Sequence, residues 1–283
     1  MESTPLHTLT EDDLIRRLSA QLATPTDTVG IGDDCAVIGQ GTLFKTDNLI
    51  QGRHYLPETP PELVGHKAIA RVISDFAAMG GSPQYFLVTC GLTPDLSVEY
   101  VEAVYRGMNA ISQQFSCYII GGETSSISSE PYFSISGIGT TSHPILRSGA
   151  QIGDLIFVTG SLGNSFHSQH HLHFTPRVAE ALWLQEHARP SAMMDLSDGL
   201  ARDLPRIAQL SKVGYTLDLD ALPLRAGADT KTALTDGEDY ELLFTISPEL
   251  AHLLDKATYT QIGTITTDTP HSLEGGWDHL CQS

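Results

Sequence analysis

Cysteine is scarce in this sequence and never occurs in closely spaced pairs. Cys35, Cys90, Cys117 and Cys281 are scattered over 283 residues and form no CxxC motif. This pattern argues against a disulfide framework and against a structural zinc site. Isolated thiols are typical of a reducing compartment, so we expect a cytoplasmic protein.

Basic residues are also scarce. The 16 Lys and Arg are outnumbered by 34 Asp and Glu, which gives a formal net charge of -18. A surface of this charge repels nucleic acid and anionic lipid, so neither is an expected partner. An acidic protein can still bind a polyanion such as a nucleotide when metal ions bridge the two.

Long hydrophobic runs are absent as well. No apolar stretch approaches the length of a membrane-spanning helix. Residues 1–5 have neither the basic start nor the apolar core of a secretory signal. We therefore expect no association with a membrane.

The apolar residues that are present follow a pattern that predicts a mixed α/β protein. A chain of 283 residues is long enough to bury a large core and to form two domains. Periodicity and capping residues predict helices over 8–22, 62–79 and 97–114, with another after residue 198. Strands are predicted over 42–47, 84–92, 118–120, 132–139, 155–159, 192–195, 215–220 and 242–246.

The stretch Gly30-Ile31-Gly32-Asp33-Asp34 places two glycines directly before two adjacent carboxylates. Adjacent Asp side chains repel each other, but they are useful when a cation lies between them and an anionic ligand. Glycine lets the backbone turn tightly and approach a ligand closely. We therefore interpret this stretch as one wall of a magnesium–phosphate site.

Asp75 is a second carboxylate in an unexpected position. It lies among apolar residues in the last turns of the helix predicted over 62–79. A carboxylate there opposes the helix dipole and costs up to roughly 1 kcal/mol, or more when buried, so a metal ion is a natural compensating group. An exposed Asp75, or one hydrogen-bonded to a nearby amide, is an equally good interpretation.

Two polar turns and a histidine-rich segment lie in the second half of the chain. Asp195, Ser197 and Asp198 crowd a strand-to-helix junction, where carboxylates and backbone amides can meet a phosphate-bound metal. Glu238 lies in the acidic turn at residues 235–241. Residues 161–176 contain four histidines without a nearby Cys or an HxxxH helix, which predicts a surface segment rather than a zinc site.

Taken together, these motifs resemble those of the thiamine-monophosphate kinases. That family belongs to the aminoimidazole-ribonucleotide-synthetase-like superfamily of ATP-using enzymes. The matching motifs follow the order of the family, and their combination is specific although each is weak alone. They lie at residues 30–36, 46–47 with His54, 74–80, 121–124, 147–150, 153–154, 195–200, 237–242 and 276–279.

The resemblance implies a two-domain α/β (α+β) fold of the aminoimidazole-ribonucleotide-synthetase-like type. Residues 1–147 would form an N-terminal domain that binds ATP and Mg²⁺ and dimerises. Residues 148–283 would form a C-terminal α/β domain that completes the substrate site. In the implied homodimer the N-terminal sheets pair in a barrel-like core, and ATP binds near that interface.

The resemblance also implies an activity, the ATP-dependent phosphorylation of thiamine monophosphate to thiamine diphosphate with several Mg²⁺ ions. Phosphoryl transfer requires mainly positioning and charge neutralisation from the protein. The sequence has no Walker-type glycine loop with Lys and no Ser-His-Asp arrangement. We therefore expect direct in-line transfer of the γ-phosphate, without a catalytic nucleophile in the protein.

Carried over by position, the resemblance implies three groups of site residues. The implied Mg²⁺ ligands are Asp34, Thr46, Asp47, Asp75, Glu123, Asp195 and Asp198. The implied ATP contacts are Tyr105, Gly122, Glu123, Arg147 and Ser197. The implied contacts to the thiamine moiety are His54, Glu238 and Trp277, whose aromatic face suits a cationic ring.

Lys45 departs from the family pattern, because a small hydroxyl residue usually occupies its position. Lys45 and Asp47 are two residues apart on a predicted strand and should project to the same side. The Lys45 ammonium could therefore replace one cation of the metal cluster. A solvent-facing Lys at a strand edge is an equally good interpretation.

Other departures affect the expected substrate site. Glu123 replaces the Asp of the family and adds one methylene to a ligand arm, and Asp236 replaces a glycine ahead of Glu238. The segment at residues 161–190 is shorter than its counterpart in the family and is rich in histidine. The sequence therefore leaves two alternatives to the kinase open. One is another ATP-dependent enzyme of the superfamily, and the other is a non-catalytic nucleotide-binding homologue.

Overall fold

The structure is a computed structural model that describes residues 5–23, 25–267, 273, 275–278 and 280. Its strands form two sheets, one from each half of the chain. The longest helix contacts elements of both halves. None of the helices in the described part of the chain has the length and apolarity needed to cross a membrane.

The first sheet has six strands in the order β1-β2-β3-β6-β4-β5. Strands β4 and β5 are parallel, and the other neighbouring pairs are antiparallel. The strands are β1 (Thr28–Val29), β2 (Ala36–Ile38), β3 (Thr42–Ile50), β4 (Ser82–Leu92), β5 (Tyr118–Ser126) and β6 (Tyr132–Thr140).

Helices α2 (Pro61–Ala78) and α3 (Val98–Gln114) pack against each other and against this sheet, whereas α1 (Glu11–Ser19) buries no residue. Helix α2 is buried on nearly all sides, which its continuous apolar composition favours. It ends because Gly80 adopts a left-handed φ of +65°, and the Gly81 amide donates to the Phe76 carbonyl oxygen. This end directs the chain into β4.

The second sheet has five antiparallel strands in the order β8-β10-β7-β11-β9. Its strands are β7 (Leu155–Thr159), β8 (Ala192–Asp195), β9 (Gly214–Leu217), β10 (Leu242–Ile246) and β11 (Tyr259–Thr266). The helices of this half are α4 (His170–His173), α5 (Val178–Trp183), α6 (Leu200–Ser211) and α7 (Thr230–Thr235). One cluster of buried apolar residues joins the two halves, since Phe76 of α2 belongs to the same cluster as Phe244 of β10.

The structure confirms the predicted mixed α/β class and most of the predicted elements. The helix expected over 8–22 is shorter, and its expected apolar face is largely solvent-accessible, with Leu18 51% exposed. The strand expected over 118–120 is longer than predicted, because β5 continues through Gly121 and Gly122 beside β4. The strand expected over 215–220 ends at Leu217 and passes into a short helical turn.

The sequence patterns missed α5, α7 and β11. Helices α5 and α7 have six residues each, too few for a clear amphipathic repeat.

The first sheet ends at Thr140 and the second begins at Leu155. The predicted domain boundary at residue 147 lies between these strands, and its position stays a prediction.

The close contact of α2 and α3 generates a first testable prediction. A Cβ atom added at Gly107 would lie 1.9 Å from the Glu62 carbonyl oxygen. We expect Gly107→Ala to lower the free energy of unfolding by about 1–3 kcal/mol, because the two helix backbones must separate. Denaturant unfolding measures this change.

Asn109→Ala is the matched control, since Asn109 is an exposed residue of the same helix. We expect its effect to stay within about 0.5 kcal/mol. Equal stability of the two variants would contradict the close approach of the helices.

Candidate active site

Three buried carboxylates meet where the two halves of the chain come together. Asp34 precedes β2, Asp75 lies on the last turn of α2, and Asp195 is the last residue of β8. One oxygen atom from each lies within 4.8 Å of the other two. Only the tertiary fold brings these positions together, because they come from distant parts of the sequence.

Burial of three like charges is costly, and the pKa values of Asp75 and Asp195 reflect the cost. Burial raises the pKa of the Asp75 carboxyl well above its usual range, and the Lys45 ammonium opposes that rise. Burial and the neighbouring Asp34 raise the pKa of Asp195 to about 6. A divalent cation would relieve both effects by favouring the ionised carboxylates.

Basic side chains and hydroxyl groups surround the three carboxylates. Lys45 Nζ donates to Asp75 Oδ1 at 2.6 Å, and Arg147 Nη2 donates to Asp34 Oδ1 at 2.5 Å. Ser74 Oγ donates to one oxygen of Asp195, also at 2.5 Å. The second oxygen, Asp195 Oδ1, is buried and has no hydrogen-bond partner within the described ranges.

This arrangement fits a hard cation such as Mg²⁺. Mg²⁺ prefers carboxylate oxygens, and a buried oxygen without a partner is costly unless something binds it. Asp195 Oδ1 is such an atom, and it lies among two further carboxylates. Asp195 is therefore the residue best placed to hold metal, with Asp34 and Asp75 beside it.

Two further predicted metal ligands form ion pairs outside this cluster. Asp47 Oδ2 lies 3.0 Å from Arg71 Nη2, and Asp198 Oδ2 lies 2.8 Å from Arg206 Nη1. Neither belongs to the three-carboxylate group. Their role as metal ligands stays a prediction.

Thr46 and Glu123 lie on the outer face of the first sheet, away from α2. Both are exposed, and Glu123 is in register with Thr89 of β4. Three strand spacings separate β5 from β3, which is about 14 Å. Within one chain, Glu123 therefore lies far from the strand that carries Lys45.

The predicted ATP residues Tyr105 and Gly122 lie close to a groove between α3 and β5. Tyr105 and residues 124–126 line this groove, which has a volume of about 470 Å³. A Cβ atom at Gly122 would lie 1.8 Å from the Val88 carbonyl oxygen, so only glycine fits there. Two of the other predicted ATP contacts, Arg147 and Ser197, lie closer to the carboxylates, with Ser197 two residues after β8.

The predicted substrate residues His54 and Glu238 meet at a buried lysine. Lys67 Nζ donates to the His54 carbonyl oxygen at 2.5 Å and to Glu238 Oε2 at 2.8 Å. Glu238 adopts a left-handed φ of +60°, a conformation unusual for a residue with a side chain. Lys67 thus links the acidic turn of the second half to α2 through an ion pair with Glu238.

Trp277 and Asp236 complete the predicted substrate region. Trp277 is 44% exposed, and its amide donates to the Asp198 carbonyl oxygen at 2.8 Å. Asp236 Oδ2 accepts a hydrogen bond from the Asn164 amide. Asp236 therefore ties the turn before Glu238 to the loop after β7.

Lys67 and Arg71 are residues of this region that the sequence patterns missed. They lie on α2 four residues apart, and Asp75 follows four residues later, so all three share one face of the helix. Charged residues at this spacing inside an otherwise apolar helix are a pattern that could have identified them.

The histidine-rich segment is only partly at the surface. His171 is buried and stacks on Phe166, so the predicted surface position is wrong for this residue. His170 Nε2 lies 3.0 Å from the Asp239 carbonyl oxygen. These contacts give the segment a packing role beside the acidic turn.

The chain is similar to known proteins over most of its length. It matches the family model "AIR synthase related protein, N-terminal domain" over residues 32–141 and the model "AIR synthase related protein, C-terminal domain" over residues 119–275. It is 34% identical to the thiamine-monophosphate kinase of Rhodopirellula baltica, across 92% of this chain and 88% of the relative. The chain belongs to the thiamine-monophosphate kinase family.

Other members of the family support this assignment. The thiamine-monophosphate kinase of Salmonella typhimurium is 34% identical over 84% of each chain. A solved structure of AaThiL complexed with AMPPCP and TMP aligns with a TM-score of 0.90 and 31% identity. That alignment covers 99% of this chain and 100% of the other, so both halves of the fold are those of the family.

His54 generates a prediction about pH. Burial lowers the pKa of His54 from 6.5 to about 4, with the Arg71 charge acting in the same direction. The unfolded chain therefore binds a proton at His54 before the folded chain does, so this contribution to stability is lost as the pH falls from 6.5 towards 4. Titration of labelled histidines by NMR measures the pKa directly.

His54→Asn is the control, because Asn cannot titrate and can still accept the hydrogen bond that the Ile50 amide donates to His54 Nδ1. We expect the variant to lose less stability over this pH range than the unsubstituted chain. A His54 pKa near 6.5 in the folded protein would refute the prediction.

Proposed function

We propose that this chain transfers the γ-phosphate of ATP to thiamine monophosphate and forms thiamine diphosphate. The observation that carries the proposal is the buried cluster of Asp34, Asp75 and Asp195 in a chain of this family. Residues 1–147 would bind ATP and Mg²⁺, and residues 148–283 would complete the substrate site.

Asp34 and Asp195 would hold Mg²⁺, which supplies positive charge to the phosphate groups of both substrates, and Asp75 lies beside them. Arg147, now bonded to Asp34, can donate to a phosphate oxygen because guanidinium groups match that geometry. No protein nucleophile is needed, since positioning and charge neutralisation suffice for direct transfer. The buried position of the carboxylates would also keep water from the transferred phosphate.

We propose separate subsites for the two organic parts of the substrates. The groove beside Tyr105 offers an aromatic ring and the apolar Val101 for the adenine base. His54, Glu238 and Trp277 would contact the thiamine moiety. The Trp277 ring can stack on the cationic thiazolium ring, and the Glu238 carboxylate supplies the opposite charge.

We also propose a cytoplasmic homodimer that pairs the first sheets. The outer face of this sheet exposes large apolar side chains on three strands, among them Phe44, Tyr85, Leu87, Tyr118 and Ile120. Such a patch is unusual on a surface that has no partner. A second copy on this face would cover Thr46 and Glu123, which supports a ligand role for them in the paired sheets.

Purified protein with ATP, Mg²⁺ and thiamine monophosphate tests the activity. We expect thiamine diphosphate to form without a phosphorylated protein intermediate. Asp195→Asn should lower kcat/KM by about 10²–10³-fold, because the side chain keeps its size but loses the charge that binds metal. Asp220→Asn is the matched control, since Asp220 is exposed in the turn after β9.

Two outcomes would support the alternatives instead. Binding of an ATP analogue without ATP consumption would support a non-catalytic nucleotide-binding homologue. Consumption of ATP with a different acceptor, and no thiamine diphosphate, would support another ATP-dependent enzyme of the superfamily.

Sedimentation tests the dimer. We expect a mass twice the 30.6 kDa of one chain, and Leu87→Glu should shift the equilibrium to the monomer by placing a charge in the covered face. Leu253→Glu is the control, because Leu253 is similarly exposed but lies in the second half of the chain. A monomeric unsubstituted chain would contradict this assembly.

A further inference from the structure

Four of the predicted metal-binding aspartates already have a basic partner within the same chain. The pairs are Lys45 with Asp75, Arg71 with Asp47, Arg147 with Asp34, and Arg206 with Asp198. Asp195 differs, because its hydrogen-bond donor is the Ser74 hydroxyl and its Oδ1 atom has no partner among the described residues. The carboxylates are therefore not equally available to metal.

Lys45 and Arg71 lie on two packed elements of the first half. Lys45 lies on β3, which has a neighbouring strand on each side, and Arg71 lies on the buried helix α2. Their side chains are 24% and 11% exposed, respectively. Neither side chain can move far without disturbing the packing between β3 and α2.

The four groups between β3 and α2 alternate in charge. On β3, Lys45 and Asp47 are two residues apart and project to the same side, and on α2, Arg71 and Asp75 are one turn apart. Each cation contacts the carboxylate of the opposite element, at 2.6 Å for Lys45 and 3.0 Å for Arg71. The backbone spacing of both elements thus fixes two ion pairs, each of which joins β3 to α2.

A metal ion would compete with these cations for Asp75 Oδ1 and Asp47 Oδ2. Mg²⁺ must approach a carboxylate oxygen to about 2.1 Å, which would place it against the ammonium or guanidinium group already there. Two cations at such a distance repel each other strongly in a buried site. Metal on either of these two oxygens would therefore require Lys45 or Arg71 to leave.

We infer that Lys45 and Arg71 stay on Asp75 and Asp47 throughout the reaction cycle. Metal then binds at Asp195, and at Asp34 once Arg147 turns to a phosphate oxygen, but not at Asp75 or Asp47. This inference rests on the proposed function for the presence of metal and nucleotide. Lys45 and Arg71 would supply two positive charges that bound Mg²⁺ ions would otherwise have to provide. They are positioning residues, because they contact carboxylates rather than the reacting phosphate.

A crystal structure of the unsubstituted protein with Mn²⁺ and a non-hydrolysable ATP analogue tests this directly. Anomalous scattering locates Mn²⁺, which binds the same ligands as Mg²⁺. We expect Mn²⁺ on Asp195, with Lys45 still bonded to Asp75 and Arg71 still bonded to Asp47. Mn²⁺ on either oxygen of Asp75 or Asp47, whether or not the basic side chain has turned away, would overturn the inference.

Equilibrium dialysis of Lys45→Ser provides a second readout that does not depend on activity. Serine removes the charge and leaves space, so we expect this variant to bind one more Mn²⁺ per chain than the unsubstituted protein. Arg106→Ser is the matched control, because Arg106 forms an exposed ion pair with Glu62 away from the cluster. Equal Mn²⁺ counts in Lys45→Ser and the unsubstituted chain would count against Lys45 as a cation that stays on Asp75.

The two proposals fail in different ways. Dialysis with Mn²⁺ alone tests the inference even if the ATP analogue does not bind, whereas absence of nucleotide binding argues only against the proposed kinase. If Lys45→Ser does not fold, the location of Mn²⁺ in the unsubstituted protein still decides between the two arrangements.

Discussion

The structure depends on neutralising the negative charge buried around helix α2. Asp34, Asp75 and Asp195 meet beside this helix, and each would be costly to bury alone. The fold meets this constraint with Lys45 and Arg147, and with the Ser74 hydroxyl. Removing one partner of such a buried pair typically costs about 3–5 kcal/mol, so the site and the fold stabilise each other.

The same helix links the two halves of the chain through charge as well as packing. Lys67 holds Glu238 of the second half, while Phe76 belongs to an apolar cluster that also contains Phe244. A catalytic site between two halves needs a fixed geometry, because phosphoryl transfer depends on the alignment of two substrates. Helix α2 provides that geometry, since it contacts both sheets and contributes Asp75 directly to the carboxylate cluster.

Much of the candidate site could be predicted from local sequence. Asp34 follows a glycine-rich turn and Asp195 ends a short apolar strand, so both were identified as candidate ligands, and the structure brings them together. The four-residue spacing of Lys67, Arg71 and Asp75 indicates one charged face of α2, but it does not show which distant carboxylate each cation contacts. Glu123 was placed with the cluster by resemblance alone, and no property of its own strand indicates which face of the sheet it occupies.

The sequence by itself determined the mixed α/β class, the main helices and strands, and the chemistry of the carboxylate motifs. These features depend on residues close together in the chain, through periodicity, capping and turn formation. Only the tertiary structure decided which carboxylates meet and which basic side chain pairs with each. Lys45 and Asp75 are 30 residues apart, and their 2.6 Å contact exists only because β3 packs against α2. Pairing between distant residues depends on the packing of whole elements, which no local pattern encodes.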